Sequence, residues 1–484
     1  MTWIFCCCIK KANEEIIDQN EVVILSDVFE GSNQTNTTQQ AENATDDKLA
    51  GETVVIEQNE QLKDFLNNLF ADIKLKIQEE ELNDITLSVE KTVLHLLEKL
   101  KRVQPVLKSS EIVRTGSCYD GTKILKPDEF DFLAVIDCFS IADAVTTEKC
   151  ATEGFAHARC IEKRASWSPF IEQGSDFSVV ACRKSKSLRE IFREHFHSVI
   201  LAEISKTFTL TMHTGSLILR GYSVPINGPQ CSIQVLWQSN SRSSEPLEID
   251  VDLSPAIKCS CITAILNSSD VINEEVFNDI VQLNQFFYLI PRPHPVCNTC
   301  LKMVFPQSDQ HLVKSLNASH KKAFMILKYL SREMLKHNFR LKKIFNSFAL
   351  KMAIFHHSFN CNEIYDSVGE CLLSIASYVQ EQLARDPPTM RSIFTVSRNV
   401  WKNVDLTKHE LSVARDILKS VINVFENIKR GQFGTSDFNR LKEELLNACS
   451  YSISLGTNHL AKKVNIKRGA KMSDERSLFS DQTM

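Results

Sequence analysis

The sequence predicts an α+β protein, and three observations carry that expectation. Apolar residues recur at helical spacing from Leu62 to Leu100. The pattern then shifts to short β-like runs between Glu111 and Ile257, and from Val271 it returns to helical periodicity. At 484 residues the chain is too long for one core of typical size, so one or two lobes with tails are expected. A hydrophobic fraction of 43% and a charged fraction of 24% describe an ordinary globular protein. No apolar run approaches the roughly 20 residues that span a bilayer. With a net charge of only −4, affinity for nucleic acid has to come from a local patch and not from overall charge.

Taken in order, residues 1–57 read as a disordered tail. Residues from about Glu30 to Glu52 are rich in Asn, Gln, Thr, Ser and acids, with little to bury. Near the start, Cys6, Cys7 and Cys8 sit between apolar residues and Lys10-Lys11, a candidate S-palmitoylation cluster and membrane anchor. Thr2 argues against N-myristoylation. The other cysteines are scattered and no secretory signal with a cleavage site precedes them. They read as reduced thiols of a cytoplasmic protein, with membrane association resting on the acylated tail.

Residues 58–104 follow as one long spine helix, or two nearly collinear helices with a weak join around Glu79–Asn83. Leu62, Phe65, Leu66, Leu69, Phe70, Ile73, Ile77, Ile85, Val89, Val93, Leu96, Leu97 and Leu100 form its stripe, and Pro105 ends it. Residues 105–265 form the expected core. Phe130–Ile136, Ser232–Leu236 and Leu247–Leu253 are its best strands, Lys186–Ile204 is a helix, and loops occupy much of Cys138–Ala181. Residues 266–430 read as a nearly all-helical lobe, with helices over Ala323–Lys336, Leu341–His356, Val368–Leu383 and His409–Ile428. Gly431 and Gly434 break the pattern, and 431–484 hold a last helix near Ser436–Ala448 and a basic tail.

The chemistry concentrates in three places. Glu129 and Asp131 alternate on an apolar strand, so both point to one face, and Asp250 and Asp252 repeat the pattern on another strand. Three carboxylates drawn from two strands make an oxygen cage of the kind that holds Mg²⁺ or Mn²⁺ against substrate phosphates. Gly116-Ser117 would add backbone N–H groups and a hydroxyl to the same phosphates. The combination reads as a nucleotidyltransferase.

The segment from Arg114 through Gly116-Ser117 to Glu129-Phe130-Asp131 closely resembles the active-site opening of the cGAS-like receptors, the cyclic GMP–AMP synthase-like nucleotidyltransferases. Ile249-Asp-Val-Asp252-Leu-Ser-Pro is similar to the family's strand with the third acidic residue. The resemblance runs from the spine helix to about Val396. It implies a bilobal nucleotidyltransferase fold, with a mixed β-sheet catalytic lobe, a bracing spine helix and a helical C-terminal lobe. It further implies that Glu129, Asp131 and Asp252 bind two divalent cations, with Asp250 the alternative third ligand, and that Ser117 holds phosphate oxygens. Lys328 matches a nucleotide-binding lysine. Ser347 and Phe348 match a base-stacking segment in which a tyrosine is common, and Phe348 can stack but cannot donate a hydrogen bond. Lys302 stands where an arginine usually contacts the nucleotide, and a lysine offers a point charge in place of a planar fork.

Vertebrate members carry a His/Cys zinc insertion just before the Lys328 helix. Here Gln307–His320 is short and has no cysteine, so that insertion is absent. Upstream, His294, Cys297 and Cys300 have metal-like spacing without a clear fourth ligand, for which His311 and His320 are candidates. Basic residues from Lys314 to Lys351, with Lys99, Lys101 and Arg102, could form a groove for a duplex backbone.

The resemblance implies a synthase that joins ATP and/or GTP into a cyclic dinucleotide messenger of innate immune, antiviral signalling. Its expected activator is double-stranded RNA in preference to double-stranded DNA, with a ligand-induced dimer as a candidate assembly. Two readings compete. A catalytically silent relative would use the fold as a nucleic-acid or protein binding module. A polymerase with the same metal site would extend RNA ends.

Overall fold

The computed structural model describes residues 46–450 except 142–143, 162–169, 171–178, 180–186, 224–229, 242–244, 261–262, 264, 273, 284–285, 293–296, 362–366, 396–397, 402–405 and 434–436. The opening stripe forms two helices, α1 (Asp46–Ile73) and α2 (Glu79–Val103). Their join falls at 74–78, ahead of the expected position. There the chain leaves the helix so that Lys74 can bridge Ile124, and the Leu125 N–H donates to the Ile73 carbonyl at 2.8 Å. Helix α1 starts at Asp46, within the stretch read from sequence as a tail to residue 57. Cys6–Cys8 and the tail after residue 450 lie outside the described residues.

Two compact units are distinguished, Met1–Thr53 and Val54–Met484. Of the first, only the opening turns of α1 are described. The sheet, the helical lobe and every site below lie in the second.

Helix α2 keeps Ile85, Val89, Val93, Leu96, Leu97 and Leu100 almost fully buried. That face packs on α4 (Leu188–Ile204) and the sheet, and a 3-10 turn at Pro105–Leu107 closes the helix because proline cannot continue it. Polar ties fix the packing. Trp237 Nε1 donates to Glu81 at 3.0 Å, and Asp84 accepts from the backbone and hydroxyl of Thr214, both at 2.8 Å.

Ten strands among the described residues form one mixed sheet. They are β1 (Glu111–Thr115), β2 (Glu129–Val135), β3 (Val145–Lys149), β4 (Phe155–Cys160), β5 (Thr209–Thr211), β6 (Gly215–Ser223), β7 (Cys231–Ser239), β8 (Leu247–Ser260), β9 (Phe286–Ile290) and β10 (Cys300–Val304). The main path runs β3-β4-β10-β9-β8-β7-β6-β5. Strand β2 pairs with β1 in the antiparallel sense and with β8 in the parallel sense. The long β8 therefore joins the two halves of the sheet.

Two expectations need correction here. Strands β9 and β10 return to the sheet from a region read as nearly all helical. Phe286-Phe-Tyr-Leu-Ile is a short aromatic and branched run, which periodicity alone does not separate from a helix segment. Leu341–His356 is not one helix. After α7 (Ala318–His337) a 3-10 turn covers Phe339–Lys343, and α8 (Ser347–Ser358) starts anew where the Asn346 side chain accepts from the Ala349 N–H at 2.9 Å. The remaining helices are α3 (Asp137–Ser140), α5 (Glu274–Leu283), α6 (Pro306–Ser315), α9 (Val368–Ala384), α10 (Lys408–Lys429) and α11 (Phe438–Ser450).

Because α2 is held by its buried face, Leu96→Ala should cost roughly 2 to 5 kcal/mol in urea denaturation. Leu94→Ala, at a position 44% exposed, should stay within about 0.5 kcal/mol. Equal effects of the two would contradict this packing.

Candidate active site

Parallel pairing of β2 with β8 sets Glu129 beside Asp250 and Asp131 beside Asp252. Alternation sends Phe130, Phe132, Val251 and Leu253 into the core and turns the four acids to the opposite face. Carboxylate oxygens of Glu129, Asp131 and Asp252 lie within 4.8 Å of one another. Asp250 lines the same cleft beside Glu129. The Ser232 hydroxyl donates to one oxygen of Asp252 and Gln230 Nε2 to the other at 3.4 Å. Burial pushes the Asp131 carboxyl up to about 7, and repulsion from Glu129 and Asp252 adds to it. Burial also raises Asp252 and Asp250, each further repelled by Glu129. An all-oxygen set of crowded carboxylates fits a hard divalent cation, whose charge would relieve that repulsion.

Glycine is required at 116. Its φ is +79°, and a Cβ there would lie 2.1 Å from Asp131 Oδ2. The loop that follows is tied on two sides. From the spine, Glu90 accepts from Arg114 Nε and Nη2 at 2.7 and 2.8 Å and from the Tyr119 hydroxyl at 3.1 Å. From the helical lobe, Lys351 on α8 lies 3.1 Å from the buried Asp120, and also 2.5 Å from Asp309. Lys328 on α7 donates to the Thr122 carbonyl at 2.9 Å, and burial lowers its ammonium to about 8.

Ser117, Glu129, Asp250, Lys328 and Ser347 line one cleft of about 530 Å³, together with Lys123, Arg332 and Lys342. Ser347 also lines a neighbouring cavity of about 290 Å³, where Lys302, Phe348, Phe394 and Arg398 stand. Lys302 Nζ is 5.3 Å and the Arg398 guanidinium 5.7 Å from the centre of the Phe348 ring. Burial, with repulsion from Arg398 and Arg292, holds the Lys302 ammonium well below its usual range. Burial and Arg292 bring Arg398 to about 10. This cavity pairs an aromatic face with crowded cations, a combination suited to a base carrying phosphates.

The sequence-derived residues thus fall into two adjoining spaces. Ser117, Glu129 and Lys328 line the cleft, Asp131 and Asp252 cluster with Glu129, Gly116 lies against Asp131, Lys302 and Phe348 line the cavity, and Ser347 lines both. Arg398 and Lys123 were not singled out. Lys123 lies 2.8 Å from Asp128 and 3.5 Å from Glu129, and its position two residues from neither acid hid that pairing. One further expectation is corrected. Lys328 and Lys351 bond inward to the loop and leave the supposed basic face, while Arg332 and Lys342 belong to the cleft. Of the residues with metal-like spacing, Cys297 and Cys300 are in side-chain contact. His294 lies outside the described residues, Cys300 clusters with Cys150 and His157, and His320 joins another cluster. His311 is exposed on α6 and enters neither cluster.

Acid triad, glycine-serine loop and mixed sheet together define a nucleotidyltransferase fold. Residues 118–315 match the family described as the Mab-21 protein nucleotidyltransferase domain. Over that span the chain is similar to a nucleotidyltransferase domain of the Mab-21 type. It is also similar to cyclic GMP-AMP synthase from Sus scrofa, 22% identical over 302 residues, which cover 58% of this chain and 56% of that protein. The match thus spans little more than half the length of this curated relative. Among the described residues, no helix is long and apolar enough to cross a membrane.

The raised Asp131 carboxyl has a pH consequence. The folded protein keeps this proton up to about pH 7, whereas an unfolded chain releases it near pH 4. In that window the folded state binds more protons, so stability falls as pH rises. In chelator, Tm should decline from pH 5 to 8 by about the share that Asp131→Asn abolishes. The variant should melt roughly 2 to 4 °C above the parent at about pH 8 in differential scanning calorimetry. An unchanged slope in the variant would contradict the assigned repulsion.

Proposed function

We propose that this protein joins ATP and GTP into a cyclic dinucleotide, with divalent metal at Glu129, Asp131 and Asp252. The observation that carries the reading is that the acid-lined cleft and the cavity around Phe348 share Ser347 in their walls. Mg²⁺ or Mn²⁺ bound at the triad would supply charge neutralisation at the phosphates and activation of a ribose hydroxyl. Ser117 and the loop N–H groups would hold terminal phosphate oxygens. Lys328 would exchange the Thr122 carbonyl for a phosphate. Phe348 would stack on a purine, flanked by Lys302 and Arg398. A ribose hydroxyl aligned over the triad attacks an α-phosphate in line, and pyrophosphate leaves on the opposite side. A second round on the rebound linear intermediate closes the ring. Likeness to the porcine cyclic GMP–AMP synthase supports a cyclic dinucleotide as product.

Double-stranded RNA is the proposed activator, and an immune messenger in the cytoplasm the proposed setting. Exposed Lys336, Arg340 and Lys343 are neighbours in sequence of Phe339, which is 78% exposed, just past the end of α7. Phosphates and groove shape, not base edges, suit such a surface. The spine and the Glu90 tie would carry ligand binding to the Gly116-Ser117 loop as a shift of populations.

The test incubates purified full chain and Mg²⁺ or Mn²⁺ with labelled ATP, GTP, CTP and UTP, adding no ligand, long duplex RNA or duplex DNA. A phosphatase-resistant small product that needs duplex RNA is expected, and Asp131→Asn should reduce it by more than about 100-fold. Absence of product from folded, nucleic-acid-bound protein would favour a silent binding module, and lengthened RNA would favour a polymerase. For the cavity, Phe348→Ala should raise the KM for purine nucleotides by roughly tenfold, the loss of one stacking contact, whereas Phe348→Tyr should keep it. Equal KM values for all three proteins would remove Phe348 from the site.

A further inference from the structure

We propose that His320, His357, Cys361 and Cys371 form a structural zinc site that clamps the ends of three helices in the helical lobe. One nitrogen or sulfur from each of these residues falls in a group whose members all lie within 4.8 Å of one another. A tetrahedral ion with Zn–N and Zn–S bonds of about 2.0 to 2.3 Å keeps its ligand atoms about 3.3 to 3.8 Å apart. Small adjustments suffice to close the set on one ion.

The geometry follows from the elements. His320 lies in the first turn of α7, His357 in the last turn of α8, Cys361 just beyond α8, and Cys371 in the first turn of α9. His357 and Cys361 are four residues apart, a spacing that brings two ligands to one side of a helix end. The His320 and His357 rings meet edge to face with centroids 5.1 Å apart, so each can turn a nitrogen to a common point. His320 and Cys371 are buried, at 5% and 3% exposure, and the other two are half-buried. Two imidazoles with two thiolates, all four from protein, match a closed structural zinc site and not a catalytic one with an open position.

Binding is balanced by proton release. Zn²⁺ replaces the thiol protons of Cys361 and Cys371 and accepts lone pairs from two neutral imidazoles, so two protons leave per ion bound. The clamp would fix α7, which carries Lys328, against α8, which carries Ser347, Phe348 and Lys351. None of the four ligands lines the cleft or the cavity. The site therefore stands apart from the proposed chemistry, and its test does not depend on turnover.

The experiment measures zinc by elemental mass spectrometry in full-length chain grown with added zinc and purified without chelator or histidine tag. The Cys361→Ser/Cys371→Ser variant is expected to lose one zinc per chain, while Cys300→Ser, which breaks the other sulfur cluster, should retain it. A double variant with the wild-type zinc content would overturn the proposal, as would wild type that binds no zinc. Should the double variant fail to fold, cobalt replacement in the Cys300→Ser chain decides. Intense tetrahedral d–d bands with thiolate charge transfer support the site, and weak octahedral bands overturn it.

Discussion

Parallel pairing of β2 and β8 gathers four carboxylates on one face of the sheet, and most of the functional architecture answers to that crowding. Like charges on adjacent strands repel, and burial raises the cost of keeping them ionised. The fold tolerates this because the opposite faces of the same strands place Phe130, Phe132, Val251 and Leu253 in the core. The apolar side fixes the register, and a shift by one residue would turn the acids inward. The register of the acids is thus fixed by residues on the opposite face of the same strands.

The loop above the acids has little freedom of its own. Gly116 passes against Asp131 because it lacks a Cβ, and the turn beyond is tied to α2 through Glu90 and to α7 and α8 through Lys328 and Lys351. Those ties cross from the spine to the sheet and from the sheet to the helical lobe. Displacing either helix element moves the Gly116-Ser117 loop relative to the carboxylates. The loop is therefore the natural point at which a ligand on the outer surface would act on the site.

Much of this was legible in the sequence for identifiable reasons. Asp-x-Asp and Glu-x-Asp on apolar runs show the shared face directly, since strand alternation is local. Glycine before serine marks a backbone need that only close contact explains. What escaped were relations between distant segments. Nothing local in Phe286–Ile290 says that it returns to the sheet, and the cap at Asn346 that splits a helical run depends on where α7 ends. Arg398 carries no motif and reaches the Phe348 ring only through the folded lobe. Lys328 and Lys351 read as surface cations because charge alone does not show that Asp120 and the Thr122 carbonyl lie beneath them.

Binding of Mn²⁺ to the full chain, read by electron paramagnetic resonance near neutral pH, tests the central claim that the crowded acids are a cation site. Saturable binding is expected, weakened at least about tenfold by either Asp131→Asn or Asp252→Asn, which corresponds to about 1.4 kcal/mol. Binding equal in both variants and the parent, or none in the folded parent, would contradict the account.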